Sequence, residues 1–131
     1  MVKFLYLFLL IFPFSPRGIN TTGPIDKAAE LLKNTHIAEL AKMFSTSVDI
    51  TILGEENIYS NSQAQLVLEN FFKNNPVKAV KILHRINSNP NFRYAVFIVT
   101  TDGGIYRTSI SLKLVNEHFL INELRIENEK Q

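Results

Sequence analysis

The chain has 131 residues, 46% of them hydrophobic and 20% charged, a profile that fits one globular domain and excludes a low-complexity chain. It contains no cysteine, so disulfides, thiolate metal sites and a cysteine nucleophile are excluded. Its 14 basic and 12 acidic side chains give a formal charge of +2, and no apolar run reaches the ~18 residues of a comfortable transmembrane helix.

Residues 1–18 read as an export signal. Lys3 supplies a positive start, Phe4 to Phe12 is unbroken apolar sequence, and Pro13 and Pro16 stop any helix. Ser15 and Gly18 are small enough to flank a cleavage site, although no Ala-x-Ala defines one. A buried first helix would show a polar stripe, which this segment lacks. An uncleaved membrane tether is the alternative, whereas lipid attachment needs a cysteine. The expected location is therefore exported, in a bacterial periplasm or cell envelope. Removing residues 1–18 takes away Lys3 and Arg17 and leaves 12 basic against 12 acidic groups. A neutral mature chain with no stable membrane span gives no support to a nucleic-acid or anionic-membrane partner.

Residues 19–23 form a polar linker, 24–127 a single domain and 128–131 a polar tail. Pro24 suits the first position of a helix, and Ile25, Ala28, Ala29 and Leu32 follow at helical spacing. Asn34 and Thr35 interrupt it. Ile37, Leu40, Ala41 and Phe44 then predict a second short helix. The period switches to two at Val48, Ile50 and Ile52, which predicts a strand with Asp49 facing solvent. Gly54-Glu55-Glu56 reads as a turn and Asn57 to Tyr59 as a brief strand. Ser60-Asn61-Ser62-Gln63 matches a capping box, and Ala64, Val67, Leu68 and Phe71 predict the inward side of a third helix ending near Asn75, before Pro76.

Lys78 to Asn87 reads as a strand with Val80, Ile82, His84 and Ile86 on one face. Ser88 to Asn91 is a turn by chemistry. Phe92 to Thr101 is apolar on both faces and predicts a central strand covered on both sides. Thr101-Asp102-Gly103-Gly104 is a hairpin turn, Ile105 to Val115 the next strand, and His118 to Ile126 the last. Helices early and a meander late predict an α+β fold, a strongly bent antiparallel sheet wrapped around three helices as a cone with a mouth. The helices cover one face of the central strand, so a second copy stacked on the outer face is expected to cover the other. Between Phe71 and Thr101 lie Lys73, Lys78, Lys81, Arg85 and Arg93 with no acid among them, while after Val115 come Glu117, Glu123, Glu127 and Glu129 against Arg125 and Lys130. This segregation reads as two solvated faces, with an anion-binding surface as the alternative.

Several stretches in this order resemble a known family: Glu39 to Phe44 with Val48 to Ile52, Tyr59 to Gln65, Phe71-Phe72, Ile82-Leu83-His84, Tyr94-Ala95, Thr100 to Arg107 and Glu123 to Glu127. The chain is similar to small exported Bacteroidota proteins of unknown function within the nuclear-transport-factor-2-like (cystatin-like) cone superfamily. The resemblance covers Pro24 to Glu127. It implies the cone fold and export, and no particular activity.

Candidate ligand-binding residues are His84, Tyr94, Arg107 and Tyr59. His84 shares its predicted face with apolar neighbours and is expected inside the cone, as a structural histidine, a polar anchor or a general base. Arg107 suits a ligand carboxylate or an ion pair with Glu123 or Glu127 on the last strand. Tyr59, Tyr94 and Tyr106 are expected at the mouth or in packing. His36 and His118 fall at element ends and are expected to be exposed. No metal-ligand spacing, phosphate-cradling loop or nucleophile elbow is present, so neither a metal nor a cofactor is expected. Three functions remain open. The first is a non-catalytic exported binding domain, holding a small amphipathic ligand in the cone or a partner at the sheet. The second is an isomerase- or dehydratase-like enzyme with His84 as base and Tyr94 or Arg107 polarising the substrate. The third is a structural homodimer with a filled core.

Overall fold

A computed structural model describes residues 23–130. The expected export signal, residues 1–18, and residues 19–22 of the expected linker lie outside the described residues. α1 spans Pro24–Lys33 and α2 Ile37–Ala41, followed by β1 (Phe44–Ile52), β2 (Glu55–Ser60), α3 (Asn61–Asn74), β3 (Val77–Ile86), β4 (Phe92–Thr101), β5 (Gly104–Val115) and β6 (His118–Asn128).

Pro24 opens α1, with Asp26 in its first turn and Lys33 in its last, both favourable to the helix dipole. Thr35, at φ 55°, breaks the helix and lets α2 start at Ile37. Phe44 belongs to β1 rather than to the second helix. Met43 O accepts from Ile121 N at 2.7 Å, so the chain has already turned into the sheet. The first turn is Leu53-Gly54, both at positive φ, and β2 accordingly begins at Glu55. Asn116-Glu117 repeats this geometry between β5 and β6. The capping box forms as the sequence specifies. Ser60 Oγ accepts from Gln63 N at 3.2 Å, and Ser60 N donates to Gln63 Oε1 at 3.1 Å.

The strands form one curved, open sheet in the order β2-β1-β6-β5-β4-β3. All neighbours are antiparallel except β1 and β6, which run parallel and join the first strand to the last. Register shifts interrupt the β1–β6, β3–β4 and β5–β6 ladders, and such bulges add local bend and twist. The inner face carries Val48, Ile50, Ala95, Phe97, Val99, Ile110, Leu112, Ile121, Leu124 and Ile126 against Ile25, Leu32, Leu40, Leu68 and Phe72 of the helices. These side chains fill the cone. Helix α3 is rotated slightly from the expected orientation, so that Phe72 is buried while Val67 and Phe71 are only half-buried.

Candidate functional site

The cone remains open between α3 and the β1–β2 hairpin. Ile50, Ile52 and Val67 floor a cleft of about 210 Å³, Tyr59 and Phe71 wall it, and Asn57, Asn70, Asn74 and Asn75 edge it, with Glu55 at the rim. Val67, Asn70, Phe71 and Asn74 recur at helical spacing, so one side of α3 delivers all four. Tyr59 and Asn57 alternate on the inner side of β2, opposite Val48 and Ile50. The far wall is fixed by a polar knot. Asn75 Nδ2 donates to Phe71 O at 3.0 Å, and Asn75 Oδ1 accepts from the Tyr106 hydroxyl at 3.2 Å. Phe71 packs edge-on against Phe72 and Tyr106. The turn after β4 closes over this knot, and a side chain at Gly103 would run into Asn75 Oδ1. Asn57, Asn70 and Asn74 have no side-chain hydrogen-bond partner among the described residues and present amide donors and acceptors to the cleft. Wider, shallower grooves flank α1, including one of about 640 Å³ against Val80 and Ile82 of β3. Arg85 crosses from β3 to α1 beside it, donating to both Asp26 oxygens at 2.7 and 3.0 Å, and holds the Asp26 carboxyl below its ordinary range.

Of the four sequence-derived candidates, only Tyr59 reaches the cleft. His84 is exposed and lies on the outer face. Leu83 is an extra residue between the pairs Ile82–Phe97 and His84–Val96, and this bulge reverses the alternation that would have turned His84 inward. Tyr94 and Arg107 share that outer face, Tyr94 opposite Ser111 and Arg107 opposite Ile98. Arg107 is ion-paired with the last strand's end, at Glu129, 3.5 Å away, rather than with Glu123 or Glu127. The histidine, tyrosine and arginine of the enzyme reading are therefore outside the cone. Tyr106 is buried, Tyr94 is half-buried, and His36 and His118 are exposed. The half of the outer face on β1, β2 and β6 is acidic. Asp49 is half-buried there rather than fully solvated, with Glu56 beside it and Glu123 opposite it on β6. Hydrogen bonding with Asp49, then its charge, raises the Glu56 carboxyl above the usual range.

The sequence reading missed the asparagines. Asn70 and Asn74, one turn apart beside Val67 and Phe71, carried the available signal, but their role depends on β2 lying across from them.

A bent open sheet packed on three helices is the nuclear-transport-factor-2-like, or cystatin-like, fold class. Within that class the chain belongs to the DUF4783 family, a domain of unknown function, whose profile matches residues 25–127. A DUF4783 family protein from Bacteroides uniformis is 20% identical, with a TM-score of 0.75 over 79% of this chain and 94% of that one. A domain of unknown function with a cystatin-like fold from Nostoc punctiforme is 10% identical, with a TM-score of 0.62 over 84% and 81% of the two chains. An NTF2-like protein of unknown function from Pseudomonas putida is 6% identical, also with a TM-score of 0.62, over 82% of each chain. Comparison with curated proteins gives no match.

Proposed function

We propose that the chain is a non-catalytic binding domain that holds a small amphipathic ligand in the cleft at the cone mouth. The observation that carries this reading is the convergence of the Asn57, Asn70 and Asn74 carboxamides with the Tyr59 and Phe71 rings over an apolar floor. Carboxamides orient a ligand by hydrogen bonds, and the rings supply contact area. Binding without turnover is favoured because, among the described residues, Glu55 is the one carboxyl in the lining, and it is exposed at the rim. The volume, about 210 Å³, falls below the roughly 300–1,000 Å³ of usual ligand pockets. It suits a small molecule or one group of a larger ligand. The test is thermal-shift screening of a fragment library against the full chain and against Asn74→Ala and Tyr59→Ala. Fragments that raise the wild-type Tm and lose that effect in both variants support the site. A screen with no such fragment overturns it.

The apolar strip on the outer face favours a second reading, a homodimer. Tyr94, Val96 and Ile98 run along β4, flanked by the exposed Ile86 and Ile105, on a sheet face that no helix covers. Two such strips stacked about a two-fold axis would bury one another. Light scattering should then show a dimer at micromolar concentration, reduced to monomer by Ile98→Glu. We also propose export directed by residues 1–18. Cell fractionation should find the chain outside the cytoplasm and find it retained there when those residues are deleted.

A further inference from the structure

The two edges of the sheet are treated differently. The β3 edge carries Lys78, Lys81 and Arg85, and two of these are tied down, Arg85 to Asp26 and Lys78 to Asp102 at 3.1 Å. Charged side chains and a covering helix are how proteins keep an edge strand from pairing with another chain. The β2 edge is guarded only by charge of one sign, the exposed Glu55 and Glu56, which repel an acidic segment and attract a basic one. Its sequence, Glu-Glu-Asn-Ile-Tyr-Ser, contains no proline or cation, and every residue except the half-buried Tyr59 is exposed. Ile58 on β2 and Leu66 on α3, one turn from the cleft residue Asn70, are 72% and 66% exposed, the highest values for large hydrophobics among the described residues.

The outer side of this edge is also net negative. Glu56, Asp49 and Glu123 lie together, and the adjacent cation, Arg125, already donates to Glu127 at 2.7 Å. Thr51 lies between Glu56 and Arg125 in the ladder. It is only 4% exposed, yet its hydroxyl oxygen has no hydrogen-bond partner, and neither does the enclosed Asp49 Oδ1. A cationic donor on an incoming segment would meet the unpartnered Asp49 Oδ1 among these carboxylates.

We propose that β2 receives an extended, lysine- or arginine-bearing segment of another protein as a seventh strand of the sheet. Alternate side chains of that segment meet Glu56 and Asp49 on the outer face, and the intervening ones enter the carboxamide-lined cleft. Main-chain pairing supplies affinity, and the two rows of side chains supply specificity. The inner half of this footprint rests on the cleft being the binding site and names its ligand as peptide side chains.

The test pans a random-peptide phage library on the full chain and measures the enriched peptide, once synthesised, by fluorescence anisotropy. Lysine or arginine should recur at every second position. Binding should slow amide exchange at Glu56 and Ile58, whose N–H groups point away from β1, and it should weaken at least tenfold in Glu56→Lys and in Ile58→Lys, both at exposed positions that the fold does not need. Peptides without the basic pattern, unchanged exchange in β2, or equal affinity for Glu56→Lys would each overturn the proposal. Fragment binding that Asn74→Ala abolishes, with no peptide effect on β2, overturns the strand addition and leaves the cleft reading standing. Peptide binding that Glu56→Lys abolishes but Asn74→Ala does not touch supports the strand addition and removes the cleft.

Discussion

Thr108 is fully buried on the inner face between Phe97 and Ile126, and its hydroxyl has no partner among the described residues. An unpaired buried hydroxyl costs about 1–3 kcal/mol, so Thr108→Val should raise stability in urea unfolding by about 1 kcal/mol. Phe72 and Phe71 are adjacent but differ in environment. Phe72→Ala should cost about 3–5 kcal/mol as a core truncation. Phe71→Ala should cost distinctly less, since Phe71 is half-buried at the cleft, and denaturant midpoints of the two variants separate these cases. Glu56 makes stability pH-dependent in an unusual direction. Its carboxyl holds its proton more tightly in the folded state because of Asp49, so its contribution is full at low pH and is lost as pH rises past the ordinary carboxylate range. Glu56→Gln should therefore have a higher Tm than the parent at neutral pH. That advantage should shrink on acidification toward pH ~4.

At the scale of elements, the legible parts of the sequence were those whose chemistry is local. The capping box of α3 needs only Ser60 and Gln63, and it forms. Ser60→Ala should accordingly lower stability by about 1 kcal/mol, read from the thermal midpoint. The spans of β3 to β6 also follow from period and turn residues. The inward placement of His84 failed because one extra residue, Leu83, is absorbed by a bulge that leaves no mark in the hydrophobic pattern. Phe44 failed for a related reason. It continues the helical spacing of Ile37, Leu40 and Ala41, but its inward position is met equally well from a strand beside Ile121. The cleft was legible only in its Tyr59, because the spacing of Asn70 and Asn74 says nothing about the strand they face.

The whole molecule depends on a contact that spans nearly the full described chain. β1 is bordered on one side by the short β2 hairpin and on the other by β6, in parallel. A two-stranded hairpin is at best marginally stable alone in water. Truncation after Glu117, which removes β6, should therefore leave no cooperative unfolding transition by circular dichroism, even though every helix is retained. The parallel pairing was not foreseen from a meander of hairpins, since adjacent strands in sequence predict only their own neighbours.

That first-to-last pairing also bears on the order of events during synthesis. The opening half of the domain is made first but has nowhere to settle until the final strand arrives to divide β1 from β5. Pairings so distant in sequence are slow to form, so the nascent chain should remain protease-sensitive until nearly its last residues have emerged, and then become resistant in a single step.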